Sequence, residues 1–304
     1  MTKRVLVTGG AGFIGSHAAQ RLQSLGWETH VLDSLATGEE SNVPAGAQLH
    51  VADIRADGEV RRVLSETTFD AVVHCAAQTS VERSMKSPDL DRDVNVTGTR
   101  HLLAAAKESG VKRFVFISSG GAIYGETEAP ATETTVPAPR SFYGMHKYVA
   151  EEFVRASGLP FAILRPSNVY GARQRSDAEG GVLSIFRERL LAGLPLDIHG
   201  DGKQERDFVY VGDVVDAVVL GIETEADVTW NVCSGYASTV QDCARQLAAE
   251  IGCELKLVER AERAGDIRKS LLSPALIMAT KVWGPPLRLD AGLRRLTADA
   301  AAVS

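Results

Sequence analysis

Short apolar, β-branched runs alternate with stretches in which apolar residues return at helical spacing over the first half of the chain. Arg4 to Thr8 reads as a strand, Phe13 to Leu25 as a helix and Glu28 to Leu32 as a second strand. Strands are predicted at Gln48 to Val51, Ala71 to His74 and Arg113 to Ile117, with helices between them. A helix from Tyr143 to Ala156 and a sixth strand from Phe161 to Leu164 complete the series. Strands that alternate with helices in this way build a parallel sheet covered on both faces. The expected class is therefore α/β, a Rossmann-type doubly wound parallel sheet.

After Arg165-Pro166 the pattern turns irregular, with a helix near Gly181 to Ala192 and a short strand at Asp207 to Val211. We expect residues 1–165 to form a dinucleotide-binding domain and residues 166–304 a smaller α+β substrate-binding lobe, partly interleaved with the sheet. The Pro/Thr-rich stretch Glu126 to Arg140 has the length of an active-site loop.

Composition narrows the partner. The chain has 304 residues, 44% of them hydrophobic, as an ordinary globular protein does. A net charge of -6 offers no basic field for nucleic acid or an anionic membrane, so a small molecule is the expected ligand. No apolar run is long enough to span a bilayer and Met1 to Gly10 lacks a signal-peptide pattern, so a cytoplasmic location is expected. Cys75, Cys233, Cys243 and Cys253 form no C-x-x-C pair and read as reduced, packed thiols, with no metal site.

The chemistry begins between the first strand and helix. Gly10, Gly12 and Gly15 satisfy G-x-G-x-x-G, and Gly9, Gly12 and Gly15 satisfy G-x-x-G-x-x-G. Such a turn lets backbone approach a pyrophosphate, while the helix start offers free N–H groups and a partial positive charge. Asp33 follows the second strand, where a carboxylate accepts both ribose hydroxyls and repels a 2′-phosphate, favouring NAD over NADP. Asp53 and Ile54, after the third strand, read as an adenine contact, or Asp53 as the cap of the next helix.

Tyr143 and Lys147 stand four apart and so share one helix face. An ammonium and a nicotinamide charge nearby lower a phenol's pKa, which suits Tyr143 to exchange a proton with a sugar hydroxyl.

These features, together with His74-Cys75-Ala76-Ala77-Gln78, Asn95-Val96-Thr97-Gly98-Thr99, Ser118 to Gly125, Arg165 to Gly171 and Arg206 to Val211, make the chain similar to the extended short-chain dehydrogenase/reductases. Within that superfamily it resembles nucleotide-sugar 4-epimerases of the UDP-glucose 4-epimerase type. The resemblance implies an NAD held by Gly9, Gly12, Phe13, Ile14, Gly15, Asp33, Ser34, Ala36, Thr37, Gly38, Asp53 and Ile54. It adds Cys75, Ala76, Ala77, Gln78, Asn95, Ser118, Tyr143 and Lys147 to that set.

Catalysis would use Tyr143 and Lys147 with a Ser or Thr. An ungapped count from Tyr124-Gly125 puts Gly120 at that position, so Ser119 is expected to supply the hydroxyl, with Ser118 or water as alternatives. The resemblance places Ser80, Val81, Ser119 and Gly120 at the sugar. It places Asn168, Gly181, Val182, Leu183, Gln204, Arg206, Arg263 and Arg268 around the nucleotide diphosphate. His199 stands where the family often has a stacking aromatic.

Arg175, beside Asp177, is an extra cation that would suit a sugar carboxylate, so UDP-glucuronate joins UDP-glucose as a candidate substrate. Arg187 and Arg189 offer the same chemistry or are solvated, and Ser270 would leave room for an N-acetyl group. A 4,6-dehydratase would need an acid/base pair where Gly121 and Ala122 stand. A decarboxylase and a non-catalytic NAD-binding regulator are the other readings. A homodimer is expected through Leu90 to Ser109 and Tyr143 to Ala156, whose Leu102, Leu103, Val149 and Phe153 either face a partner or the sheet.

Overall fold

The computed structural model describes residues 2–177, 181–262 and 267–301. The first strand, β1 (Arg4–Thr8), enters helix α1 (Phe13–Ser24), and β2 (Glu28–Asp33), β3 (Gln48–Val51), helix α2 (Asp57–Glu66) and β4 (Ala71–His74) follow. Helices α3 (Val81–Lys86) and α4 (Pro88–Arg92) lead through a π turn at Asp93–Gly98 into α5 (Thr99–Glu108). Next come β5 (Arg113–Ile117), the short α6 (Gly120–Ile123), α7 (Phe142–Ala156), β6 (Phe161–Pro166) and β7 (Asn168–Tyr170).

The rest contains α8 (Val182–Leu191), β8 (Leu196–His199), β9 (Glu205–Tyr210), α9 (Val211–Glu223), β10 (Val228–Val232), β11 (Ala237–Thr239) and α10 (Val240–Ile251). It closes with β12 (Leu257–Arg260), β13 (Lys269–Ser270), α11 (Ala275–Met278) and α12 (Leu289–Ala301).

Seven parallel strands form the main sheet in the order β10-β6-β5-β4-β1-β2-β3. The order reverses between β1 and β4, and the crevice beyond the carboxyl ends of the strands at that point is where such sheets bind ligands. The central strands are buried on both faces, so they read as continuous apolar runs such as Phe114, Val115 and Phe116. One core, built on Val5, Val7, Val73 and Val115, packs under α1 and α9; the other, built on Leu6, Val72, Phe114 and Phe116, packs under α2, α5 and α7.

The chain crosses between sheet and lobe more than once. β10 pairs with β6 in register Trp230 to Leu164, and α9 contributes Val214, Val215 and Val218 to the sheet's core. The lobe carries small sheets, β11-β9-β13 with β7 on β9, and β12-β8, over a separate cluster that includes Tyr170, Leu190 and Leu247.

Two expected elements differ. The strand predicted from Asp207 ends at Tyr210, because Val211 opens α9. The helix predicted from Leu90 to Ser109 is broken by the π turn, which aims Asn95 at the backbone beyond β4. Leu102 and Leu103 are buried against the sheet, so they serve the core and no partner surface.

Candidate active site

A cleft of about 1670 Å³ lies beyond the carboxyl ends of β1, β2, β4, β5 and β6 and continues under the lobe. Gly9 shapes its floor: φ is +68° there and a Cβ would stand 2.6 Å from the Ala76 nitrogen, so only glycine fits. Gly12 is the N-cap of α1 and no side chain caps that end, which leaves the first-turn N–H groups of Phe13, Ile14 and Gly15 facing the cleft. Asp33 Oδ2 accepts from the Ala11 N–H at 3.0 Å and Oδ1 from the Leu35 N–H at 2.9 Å, which fixes the carboxylate at the cleft wall with Ser34, Ala36, Thr37 and Gly38. A helix start with free donors beside an aimed carboxylate fits a dinucleotide's pyrophosphate and ribose.

Asp53 and Ile54 line the same end of the cleft. Asp53 does not cap α2, since Ala56 holds that position; its carboxylate instead pairs with Arg55 at 2.6 Å, which holds it below the usual range. Arg55 was not expected and stands beside it on the cleft.

Behind the cleft wall, His74 is fully enclosed. Thr99 Oγ1 donates to the Asn95 carbonyl at 2.7 Å and so accepts from His74 Nε2 at 2.9 Å, which leaves Nδ1 to accept from Thr8 Oγ1 at 2.7 Å. Burial pushes this imidazole down to about 3, so it is neutral and ties β1, β4 and α5 together. Cys75, Ala76, Ala77, Gln78, Ser80 and Val81 follow it onto the cleft. Asn95 is not on the cleft: its amide accepts from the Gln78 N–H at 3.1 Å and donates to the Gln78 carbonyl at 2.9 Å, so it positions a wall residue. Burial raises the Cys75 thiol to about 12, as for a packed, unreactive cysteine.

The reacting groups meet at the end of β5. Ser119 is the N-cap residue of α6, yet its hydroxyl caps nothing and lines the cleft with Tyr143, whose phenol it draws downward. Ser141 caps α7, accepting from the Gly144 N–H at 3.1 Å, and so starts the helix one residue before Tyr143's own turn. Lys147 Nζ donates to the Ile117 carbonyl at 2.6 Å and lies 4.2 Å from the centre of the Phe116 ring. Ser118 donates to Glu151 at 2.5 Å, one helical turn beyond Lys147.

Two expectations change here. Gly120 is not at the sugar: a Cβ on it would meet Leu272 Cδ2 at 2.2 Å and the Arg165 carbonyl at 2.9 Å, so that position points into the core and Ser119 holds the cleft. The Tyr143 phenol is not lowered by Lys147; burial pushes it up to about 12, the Ser119 hydroxyl offsets part of this, and Asp91 adds to the rise. Burial draws the Lys147 ammonium down to about 8. With the described residues alone, the phenol therefore lies above its ordinary value.

In the lobe, Asn168, Arg175, Gly181, Val182, Leu183, Gln204, Arg206 and His199 line the cleft. Asn168 Nδ2 donates to the Asp207 carbonyl at 3.0 Å, and Gly181 caps α8 without a side chain, again leaving first-turn donors free. Arg268 is off the cleft, held by Asp201 through contacts of 2.7 and 2.8 Å in an adjoining recess that Gln204 and His199 share. Arg175 is paired with Asp177. Arg189 is on the cleft and Arg187 is not. Arg263, Glu179 and Gly180 lie outside the described residues.

Among residues the sequence reading passed over, Arg173 reaches across to Ser16 Oγ at 3.1 Å and to Gln20, bracing α1 beside its N-terminus. Arg83 lines the cleft beside Ser80 and Val81. Asp91, His146 and Glu151 are buried just behind it.

The family model for the NAD dependent epimerase/dehydratase family matches residues 5–233. The chain belongs to that family. It is 36% identical over 303 residues to the UDP-glucose 4-epimerase of Mycolicibacterium smegmatis, across 96% of each chain. Among solved structures it is similar to a UDP-glucose 4-epimerase of Thermotoga maritima with UDP-glucose, at a TM-score of 0.95 and 37% identity over 99% of both chains. The UDP-glucose 4-epimerase of Thermus thermophilus in complex with NAD has a TM-score of 0.94 and 39% identity, covering 99% of this chain and 100% of that one.

Proposed function

We propose that the protein is an NAD-dependent isomerase that inverts C4 of a UDP-sugar, with Tyr143 as acid/base. The observation that carries this reading is that Tyr143, Lys147 and the Ser119 hydroxyl, which caps nothing, share the cleft wall between the Gly9 to Gly15 cradle and the lobe. NAD bound along that cradle supplies a reversible hydride acceptor. Tyr143 then removes the proton of the C4 hydroxyl and returns it after the 4-keto sugar has presented its other face. Ser119 relays that proton, and Lys147 sits one turn on to hold a ribose. Each face of the sugar meets the same Tyr143, so one acid/base serves both directions.

A neutral hexose is the preferred substrate. Asp177 already pairs with Arg175, which offsets the charge that a glucuronate carboxylate would need. Ser270, buried on the cleft, leaves space beside the sugar. Gly121 and Ala122 carry no group able to move a proton, which disfavours a dehydratase.

The protein works as a cytoplasmic homodimer in this reading. On α7, Phe142, Met145 and Phe153 are exposed, and Arg100 lies over the Phe153 ring. A monomer in light scattering at micromolar concentration would remove the dimer. No helix among the described residues is long and apolar enough to cross a membrane.

The test is to give the purified protein, without added NAD, UDP-glucose, UDP-glucuronate or UDP-N-acetylglucosamine separately and to follow the anomeric protons by NMR. UDP-galactose from UDP-glucose is the expected result. A keto or pentose signal would move the assignment to a dehydratase or decarboxylase, and silence from all three would leave a binding protein.

A further inference from the structure

Asp91 has no exposed surface, and its carboxylate is held by His146 and Gln78. Its Oδ1 accepts from His146 Nδ1 at 2.6 Å and its Oδ2 from Gln78 Nε2 at 2.5 Å. A carboxylate only accepts, so the His146 proton is on Nδ1 and the Gln78 amide nitrogen faces Asp91. The other contacts of Gln78 agree: Nε2 also donates to the Ser80 carbonyl at 2.9 Å, and Oε1 accepts from the Ser80 N–H at 2.6 Å. The whole line of bonds has one consistent direction.

That line joins parts of the site that are far apart in sequence. His146 immediately precedes Lys147 on α7, and its ring stacks on Phe142 with centres 6.0 Å apart. Gln78 and Ser80 lie on the cleft, and Ser80 also caps α3 by accepting from the Arg83 N–H at 3.1 Å. A buried carboxylate is costly unless it is well hydrogen-bonded, and a pair of apolar residues would fill the same space at less cost.

We propose that Asp91 and His146 form a positioning clamp that fixes the Gln78–Ser80 segment against Tyr143 and Lys147. Neither residue touches the reacting atoms; both act by holding the wall that faces the nucleotide and sugar at a set distance from the acid/base. This rests on the epimerase reading for its effect on turnover, and its effect on the wall is independent of that reading.

The test is amide hydrogen exchange across residues 76–84 in wild type, His146→Ala and His146→Asn, with turnover of UDP-glucose measured on the same preparations. The Asn side chain places an N–H donor where Nδ1 stands and so restores the bond to Asp91. In His146→Ala the Ser80 amide, whose partner is the Gln78 side chain, should exchange roughly tenfold faster or more. His146→Asn should recover most of that protection. For turnover, kcat of the Ala variant should fall roughly tenfold while KM stays within about twofold, with Asn again recovering. Unchanged exchange in His146→Ala, or equal behaviour of Ala and Asn, overturns the clamp. A wild type that does not turn over any UDP-sugar overturns the epimerase assignment, and the exchange data still decide the clamp.

Discussion

Glu151 offers the most direct test of how the reacting groups are held. It has no exposed surface, and its carboxylate accepts from Ser118 Oγ at 2.5 Å, Arg165 Nε at 2.9 Å, Arg165 Nη2 at 2.6 Å and Arg155 Nη2 at 3.0 Å. Arg165 is 3% exposed and also donates to Tyr124 at 2.7 Å, whose hydroxyl donates to Asn231 at 2.7 Å. Glu151→Ala leaves the Arg165 guanidinium buried without its counter-charge, a situation that costs about 3–5 kcal/mol. Arg155, with a more exposed side chain and a second carboxylate at Glu152, relaxes into water and adds little.

At about 2.1 cal/mol/K per residue, unfolding of the chain carries roughly 0.6 kcal/mol/K, so about 4 kcal/mol lowers Tm by about 6 °C. Glu151→Gln keeps the volume and loses the charge, and should fall between wild type and Ala. The double change Glu151→Leu with Arg165→Met removes both charges and should recover much of the loss. Scanning calorimetry on the three variants, with urea midpoints as a check, measures this directly. A Tm loss under about 2 °C for Glu151→Ala, or a double variant less stable than the single one, would refute the assignment of this pair as a mutually compensating buried charge.

Other changes read different parts of the site. In Gly15→Ala the new Cβ would stand 2.1 Å from the Gly9 carbonyl oxygen, so the cradle must open; the protein should elute from gel filtration without NAD, and retention of NAD at the wild-type level would contradict the cradle's geometry. Ser119→Ala should lower kcat well beyond threefold, and a loss of less than about threefold, under 1 kcal/mol of barrier, would remove the hydroxyl from the proton relay. Lys147 has a folded pKa of about 8 against an ordinary 10.5, so between those values the unfolded chain binds the extra proton and NAD-free wild type gains stability as pH rises. Lys147→Met has no such proton to release: its stability relative to wild type should be highest below about pH 8 and decline toward pH 10.5, and parallel pH curves would show that the ammonium is not held in a desolvated site.

The parts of the fold that were legible in the sequence are those specified locally. β1, the glycine turn and α1 are consecutive, and each signals its own geometry through apolar runs and a residue without a Cβ. By contrast α9, with its repeated valines, carries the composition of a strand and becomes a helix because Val214, Val215 and Val218 return to the sheet's core at helical spacing. The break in the helix around Asn95 has no proline to announce it; the π turn is selected by the bonds Asn95 makes to Gln78, which the linear pattern does not contain.

The site divides along the same line. Tyr143 and Lys147 are one turn apart, so their spacing alone puts them together. Ser119 and Gly120 are neighbours, and counting along the chain does not tell which of them faces the cleft; the packing of Leu272, far downstream, closes one side and leaves Ser119 on the other. Asp91, His146, Glu151 and Arg165 have meaning only as partners, and in each pair one member stands on α7 and the other on a different element. The chemistry of the site is thus written in short spacings, whereas the rigidity that makes it usable is written in pairs separated by a helix or more. A sequence carrying only the first set would keep the reactive groups and lose their alignment, and for that reason the Glu151 and His146 variants measure something that substitution of Tyr143 itself does not.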